Sequence, residues 1–315
     1  MGERNSGGTS ATPAERHSEC TDSPKVTVTN AISVDVEDYF HTEAMSAVAP
    51  RATWDNFPSR VEANTRALFE LFGRFEVRGT FFFLGLVAER FPQLVREAHR
   101  LGHEVGCHSY WHRPVFRLTS QEFWDDTYRA RNVIQDVIGA PVIGYRAPNF
   151  SINDSVSWAY PILEELGFLY DSSVYPVRHG LYGNHRAPRT PYQVGTNLME
   201  LPVATWRFFN QNLPVGGGAY LRILPFALMK NGLRALNESE HIPAVLYLHP
   251  WEIDPQQPRL KASWKSRMRQ YTGLEGMGTR LERLLQQFAF GRVDEAVYLP
   301  AAAQMTEHPP QACTA

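Results

Sequence analysis

Cysteine is scarce: only Cys20, Cys107 and Cys313 occur in 315 residues, and no two stand at a CxxC spacing. Thiols so few and so scattered exclude a disulfide framework and a cysteine-ligated metal site. Long apolar runs are also missing, since nothing approaches the roughly 18 residues that a membrane span needs. The opening MGERNSGGTSATPAERHSE has no apolar stretch of the secretory kind, so the expectation is a cytoplasmic protein with no membrane span. Nor is there an excess of one charge: 31 Lys and Arg stand against 33 Asp and Glu, a net charge of −2. A chain that reads a phosphate backbone depends on a basic surplus, so nucleic acid is not an expected partner. No internal repeat is evident.

What is present is an ordinary globular composition, 43% hydrophobic and 20% charged, with 22 Gly and 22 Pro to supply loops. Residues 1–29 and 301–315 are polar and aperiodic and read as disordered tails. Between them, strand-like and helix-like segments alternate. AISVDV (31–36) precedes a helical stretch at 61–75, then GTFFFLG (79–85), a helix opened by Pro92, HEVGC (103–107), and a helix from the capping box Thr119/Glu122 to about Ile138. PVIGY (141–145), a helix over 154–166, GFLYD (167–171), LMELPVA (198–204), a helix over 222–237, PAVLYLH (243–249) and a helix over 273–289 complete the series. Two long loops interrupt it, 175–197 with Arg178, His179, His185, Arg186 and Arg189, and 208–219 with Gly216, Gly217 and Gly218. Such alternation predicts an α/β fold whose mostly parallel sheet closes, or nearly closes, into a barrel.

In barrels of this kind chemistry sits at the C-terminal ends of the strands. Four strand ends there carry polar residues: Asp35, Glu37 and Asp38; HSYWH (108–112); YRAPNF (145–150); and LYLHPWE (246–252). Two His three residues apart, joined by a carboxylate from another strand, make a facial set with open positions for water and substrate. Asp35 lies inside an apolar strand, where a carboxylate needs a metal or an Arg partner, and Arg146 at another strand end is a candidate for that partner. Alternation puts Asp35 and Glu37 on one face, which favours Glu37 as the third ligand, but a strand that ends early would bring Asp38 closer. Cys107 reads as a small buried apolar residue.

The order and type of these motifs resemble the polysaccharide deacetylase family, the NodB homology domain of carbohydrate esterase family four. DVEDYF at the start is similar to the subgroup found with exosortase/PEP-CTERM exopolysaccharide loci. The likeness runs over about 30–290 through DVED, His108-Ser109-Tyr110-Trp111-His112, Arg146-Ala147-Pro148, Asp171 and Leu246-Tyr247-Leu248-His249. It implies a distorted (β/α)7 barrel over 30–255 with a C-terminal helical extension, 256–300, packed on it. It further implies one divalent ion, Zn²⁺ foremost, and removal of N-acetyl groups from the amino sugars of a bacterial polysaccharide or its precursor. By the same likeness Asp35 would be general base, His108 and His112 ligands beside Glu37 or Asp38, and Arg146 the partner of Asp35. Asp171 would orient His249, the general acid; Leu246 would face the acetyl methyl, and Pro148 and Asn149 would line the substrate site. Where common members have adjacent aspartates, Val36 intervenes here. A small-amide hydrolase and a catalytically silent glycan-binding module are the alternative readings.

Overall fold

The computed structural model describes residues 1–2, 28–179 and 183–307. The expected tail at 1–29 therefore lies almost wholly outside the described residues. Strands β1 (Asn30–Val36), β2 (Thr80–Phe83), β3 (Glu104–Cys107), β4 (Gly144–Tyr145), β5 (Tyr170–Asp171) and β7 (Met199–Glu200) run parallel, with β10 (Val245–Leu248) on the far side of β1. Short β6 (Tyr192–Gln193) adds an antiparallel edge, and β11 (Phe290–Gly291) pairs with the start of β1. The result is a mixed α/β fold whose parallel sheet curls into a half-barrel.

Each crossover follows from local sequence. Helices α1 (Val61–Arg74), α2 (Gly85–Arg90), α3 (Pro92–Arg100), α4 (Ser120–Ile138) and α5 (Ala159–Glu165) carry the chain back across the sheet. Thr119 and Glu122 form the expected capping box, and Gly139 closes α4 in the left-handed region at φ 67°. The apolar strands β1, β2 and β3 are buried on both faces, as a covered parallel sheet requires.

Four expectations are corrected here. The helix expected over 222–237 is two, α6 (Ala219–Ile223) and α7 (Phe226–Arg234), because Pro225 removes a donor and crowds the preceding turn. The helix expected over 154–166 begins with a separate 3₁₀ turn, Asp154–Val156, before α5. Much of the loop expected at 208–219 belongs to a hairpin, β8 (Thr205–Phe208) with β9 (Gln211–Pro214), turning through Phe209 and Asn210 at φ 44° and 60°. Finally, residues 301–307 are not part of a tail, and the rest of the expected 301–315 lies outside the described residues. Beyond α8 (Trp264–Tyr271) and α9 (Leu274–Gln287), α10 (Leu299–Glu307) remains helical, with Ala301, Ala302 and Met305 packed on a cluster that includes Phe82 and Tyr170. Among the described residues no helix is long and apolar enough to cross a membrane.

The gap between β7 and β10 is spanned by backbone rather than by a strand. Ala204 N donates to Val245 O at 3.0 Å, Tyr247 N to Gly216 O at 2.7 Å, and Gly218 N to Tyr247 O at 2.9 Å. Gly217, at φ 119°, is what permits this approach: a Cβ there would lie 1.9 Å from the Tyr247 carbonyl oxygen. Gly217→Ala is expected to cost at least about 2 kcal/mol of stability, a value urea unfolding would read, because backbone and not a flexible side chain must yield. An unchanged midpoint would show that the bridge is dispensable.

Candidate metal centre and active site

β1 places Asp35 and Glu37 on the same side of the sheet, and both side chains are buried. The segment after β3 is not helical. Ser109 and His112 adopt φ 64° and 53°, and His112 N donates to Ser109 Oγ at 3.1 Å, folding HSYWH into a compact turn that brings the two imidazoles to 5.3 Å between ring centroids. Asn149 and Phe150, on the turn after β4, are also left-handed at 56° and 50°. Left-handed non-glycine residues cost free energy, so four of them around one cleft mark a place where geometry is held against local preference.

Glu37, His108 and His112 offer ligand atoms that all lie within 4.8 Å of one another. Several details fit a cation. His108 Nδ1 lies 2.8 Å from the Arg146 carbonyl oxygen, which can only accept, so Nδ1 carries the proton and Nε2 keeps its lone pair. Burial pushes His108 down to about 4, leaving the ring neutral at ordinary pH. Glu37 Oε2 accepts no hydrogen bond of good geometry although His112 Nε2 is 2.8 Å away. Burial raises Glu37 most strongly, but His112, His249 and His108 together outweigh it and hold the carboxylate well below its usual range. Two buried imidazoles, that of His108 held neutral by burial, and one ionised carboxylate form a donor set suited to a divalent ion with open positions.

Arg146 is fully buried and holds Asp35. Its Nη1 donates to Asp35 Oδ1 at 2.9 Å and Ser33 Oγ at 2.7 Å, its Nε and Nη2 reach Ser172 O and Oγ, and its plane lies 4.3 Å from the centre of the Phe82 ring. Asp35, Glu37, His108, His112, Asn149 and His249 share one cleft.

Four sequence expectations fail geometrically. Asp38 turns away from the imidazoles although β1 ends at Val36, because its carboxylate accepts from Ser59 Oγ at 2.6 Å and Arg60 N at 2.8 Å. Asp171 does not meet His249. It is buried, accepts from Ser173 Oγ and stands beside Glu200 of β7, where burial lifts Asp171 to about 6 and Glu200 well above its ordinary value. Leu246 points the other way from the cleft: alternation sends Leu246 and Leu248 into the main core, and it is Tyr247 that lines the site. Pro148 is buried in its turn and does not line the cleft, whereas Asn149 and Phe150 after it do.

The residue that does meet His249 is Glu252. A 3₁₀ turn over Pro250–Ile253 returns its carboxylate to His249, with Oε2 at 3.1 Å from Nδ1 and accepting from His249 N at 3.0 Å. Arg222 Nε donates to the other oxygen at 2.7 Å. Burial works against the charged imidazole, but Glu252, then Glu37 and Asp35, prevail and raise His249 to about 9. Trp251 stacks on the ring at 5.1 Å and donates Nε1 to Glu37 Oε1 at 3.2 Å. A carboxylate three residues past a strand-end His was the available signal for Glu252; Arg222 and Trp251 carried none that separates them from packing residues.

Comparison with known proteins bears on the family and the fold. Residues 51–169 match the polysaccharide deacetylase family model, and residues 172–298 match a domain of unknown function, DUF3473. A peptidoglycan deacetylase of Helicobacter pylori is 28% identical over 113 residues, which are 36% of this chain and 38% of that protein, so the chain spans well under half of the relative it matches. A crystal structure of a Mycobacterium smegmatis protein named as a polysaccharide deacetylase superposes with TM-score 0.59 at 22% identity, over 94% of this chain and 96% of that one. The allantoinase PuuE superposes with TM-score 0.56 at 16% identity, over 90% and 91%. These two likenesses establish the fold. The cleft draws on both matched segments and on β1, which precedes them.

The ligand geometry makes a direct prediction. Glu37→Gln and His108→Ala are each expected to weaken divalent-ion binding by at least about tenfold, whereas Asp38→Asn leaves it near the parent value, as read by titration calorimetry on metal-stripped protein. Equal affinity in Glu37→Gln and the parent would remove Glu37 from the set.

Proposed function

Because the chain belongs to the polysaccharide deacetylase family, we propose that it is a metal-dependent hydrolase of carbon–nitrogen bonds. Its substrate on this reading is the acetamido group of amino sugars in a bacterial exopolysaccharide or its precursor. The observation that carries this is the convergence of Glu37, His108 and His112 between a buried carboxylate, Asp35, and a charged imidazole, His249.

Glu37, His108 and His112 would hold the ion, with Zn²⁺ the best match to two nitrogen donors and one oxygen donor. When bound it supplies Lewis acidity at the amide carbonyl oxygen. Asp35, oriented by Arg146, is placed to take a proton from the attacking water. His249 is placed to give its proton to the departing amine nitrogen, which would otherwise be too basic to leave. Glu252 fixes the His249 tautomer and favours the charged ring, the part that the family likeness implied for Asp171. Tyr247 and Trp251 flank His249 and offer apolar surface to a sugar ring.

The test is incubation of metal-loaded protein with a panel of N-acetylated oligosaccharides, measuring acetate and free amine together. Equimolar release of both is expected. Turnover of small amides alone, with every glycan inert, would favour a small-amide hydrolase.

A pH prediction follows from His249. The raised value means the acid is protonated, and the rate sustained, at neutral pH, with loss as pH rises through about 9. Glu252→Gln removes the strongest upward influence while burial remains, so the alkaline limb is expected to move down towards or below the ordinary imidazole value. At pH 8 that corresponds to a loss of about 30-fold, with far less loss near pH 6. His249→Ala is expected to cut the rate by about 10² to 10⁴ while retaining the ion. An alkaline limb unmoved in Glu252→Gln would separate Glu252 from the acid.

A further inference from the structure

Helix α8 has its amphipathic character inside out. Of its eight residues only Gln270 is buried, while Trp264 and Met268 are 70% and 55% exposed. At 100° per residue these two apolar side chains stand 40° apart, on the side of the helix roughly opposite Gln270. Lys265 and Arg267 flank the stripe, one on each side. A helix that packs on its own protein turns the apolar stripe inward; this one presents it to the surroundings.

Its inner side is held by polar bonds instead. Gln270 Nε2 donates to Tyr39 O at 3.1 Å, and Gln270 Oε1 accepts from Thr42 Oγ1 at 3.0 Å. The Arg222 guanidinium, buried, donates to the carbonyls of Arg269, Gln270 and Thr272. The helix is therefore fixed in place, and the exposure of Trp264 and Met268 is a property of the folded chain.

The charge around this stripe is of one sign. Between Asp254 and Glu275 there are five cations, Arg259, Lys261, Lys265, Arg267 and Arg269, and no carboxylate, in a chain whose net charge is −2. Among the described residues Lys261, Lys265 and Arg267 make no ion pair. An outward Trp and Met with long cationic side chains on both flanks is the pattern of a helix lying in the plane of a lipid interface, where the apolar pair enters the acyl boundary and the ammonium and guanidinium groups meet headgroup phosphates. Placement supports the same partner: Arg269 and Gln270, on this helix, also line the cleft that holds His108, His112 and His249.

We propose that the Trp264–Met268 face of α8 seats the chain on an anionic membrane surface beside the mouth of its cleft. The contact goes beyond the deacetylase reading and does not depend on it. A bilayer there would bring the cleft to glycans carried on lipid, and the apolar stripe would lose its contact with water.

Sedimentation of the full chain with phosphatidylglycerol–phosphatidylcholine vesicles, against vesicles of phosphatidylcholine alone, tests this. Binding is expected only with the anionic lipid and should fall as salt is raised. Lys265→Gln with Arg267→Gln should lower partitioning by about 30-fold, the effect of two interfacial cations. Trp264→Ser with Met268→Ser should lower it by at least about tenfold through lost apolar burial. Because all four positions are exposed and outside the catalytic cluster, circular dichroism and turnover of a soluble acetylated oligosaccharide should match the parent. A parent chain that ignores phosphatidylglycerol, or a Trp264→Ser/Met268→Ser variant that binds as the parent does, overturns the proposal. So does Trp264-dependent dimerisation in the absence of vesicle binding, which would assign the stripe to a second copy of the chain.

Discussion

A guanidinium with no solvent contact stands at the centre of this sheet, and most of the cleft is arranged around the need to satisfy it. Moving an isolated cation into a protein interior costs several kcal/mol unless charge and hydrogen bonds are returned to it. Arg146 recovers both: Asp35 supplies the charge, Ser33 and Ser172 supply acceptors, and Phe82 covers its face. The same residue's carbonyl takes the Nδ1 proton of His108, and its amide donates to Cys107 O to extend β4 along β3. Base orientation, ligand tautomer and strand pairing thus pass through one residue. The buried pair Asp171 and Glu200 belongs to this arrangement as well, since Ser173 binds Asp171 while receiving the Ala147 amide, and Val174 N donates to Glu200.

Three histidines illustrate how surroundings divide one side chain into different chemical roles. His108 is buried with a carbonyl on Nδ1 and is neutral, so Nε2 can serve as a ligand. His41 is also buried, is pushed down to about 3 by that burial, and accepts from Asp38 N, which makes it a structural acceptor packed against Trp54. His249 is opposed by burial too, yet Glu252, braced by Arg222, keeps it charged. Composition could report that the chain contains 11 His; only the neighbours separate ligand, prop and acid.

This separation explains what was legible beforehand. The alternation of strands and helices, the capping box of α4 and the shared face of Asp35 and Glu37 all follow from periods of 2 and 3.6 residues, which are local and survive into the fold. β1 ends at Val36, and the choice between Glu37 and Asp38 fell to the Ser59 and Arg60 contacts that draw Asp38 aside, from positions more than twenty residues away along the chain. Leu246 and Tyr247 were separable in principle by the same alternation, but which parity faces inward depends on the register of β10 against β1, Leu246 beside Ile32 and Tyr247 beside Ser33. Asp171 sits at a strand end as expected, but what it meets there is Glu200 on the next strand, a pairing of two residues distant in sequence.

The replacement of a remote partner for His249 by a local one has a structural consequence. A carboxylate on another strand would tie the orientation of His249 to the registration of the whole barrel. Glu252 reaches it instead within a single 3₁₀ turn, so the ring angle is fixed by local backbone. The anchoring that remains global is passed to Arg222, which binds Glu252 with one nitrogen and the carbonyls at the end of α8 with the others. The orientation of the imidazole and the position of the outward-facing helix at the rim of the cleft are thereby held by the same guanidinium. Displacement of α8 would strain the Arg222–Glu252 pair first, and Trp251, which stacks on His249 and donates to Glu37 Oε1, would carry that strain on to the ligand set. The centre that would hold an ion and the group that would protonate the leaving amine are therefore joined through one indole as well as facing the same cleft.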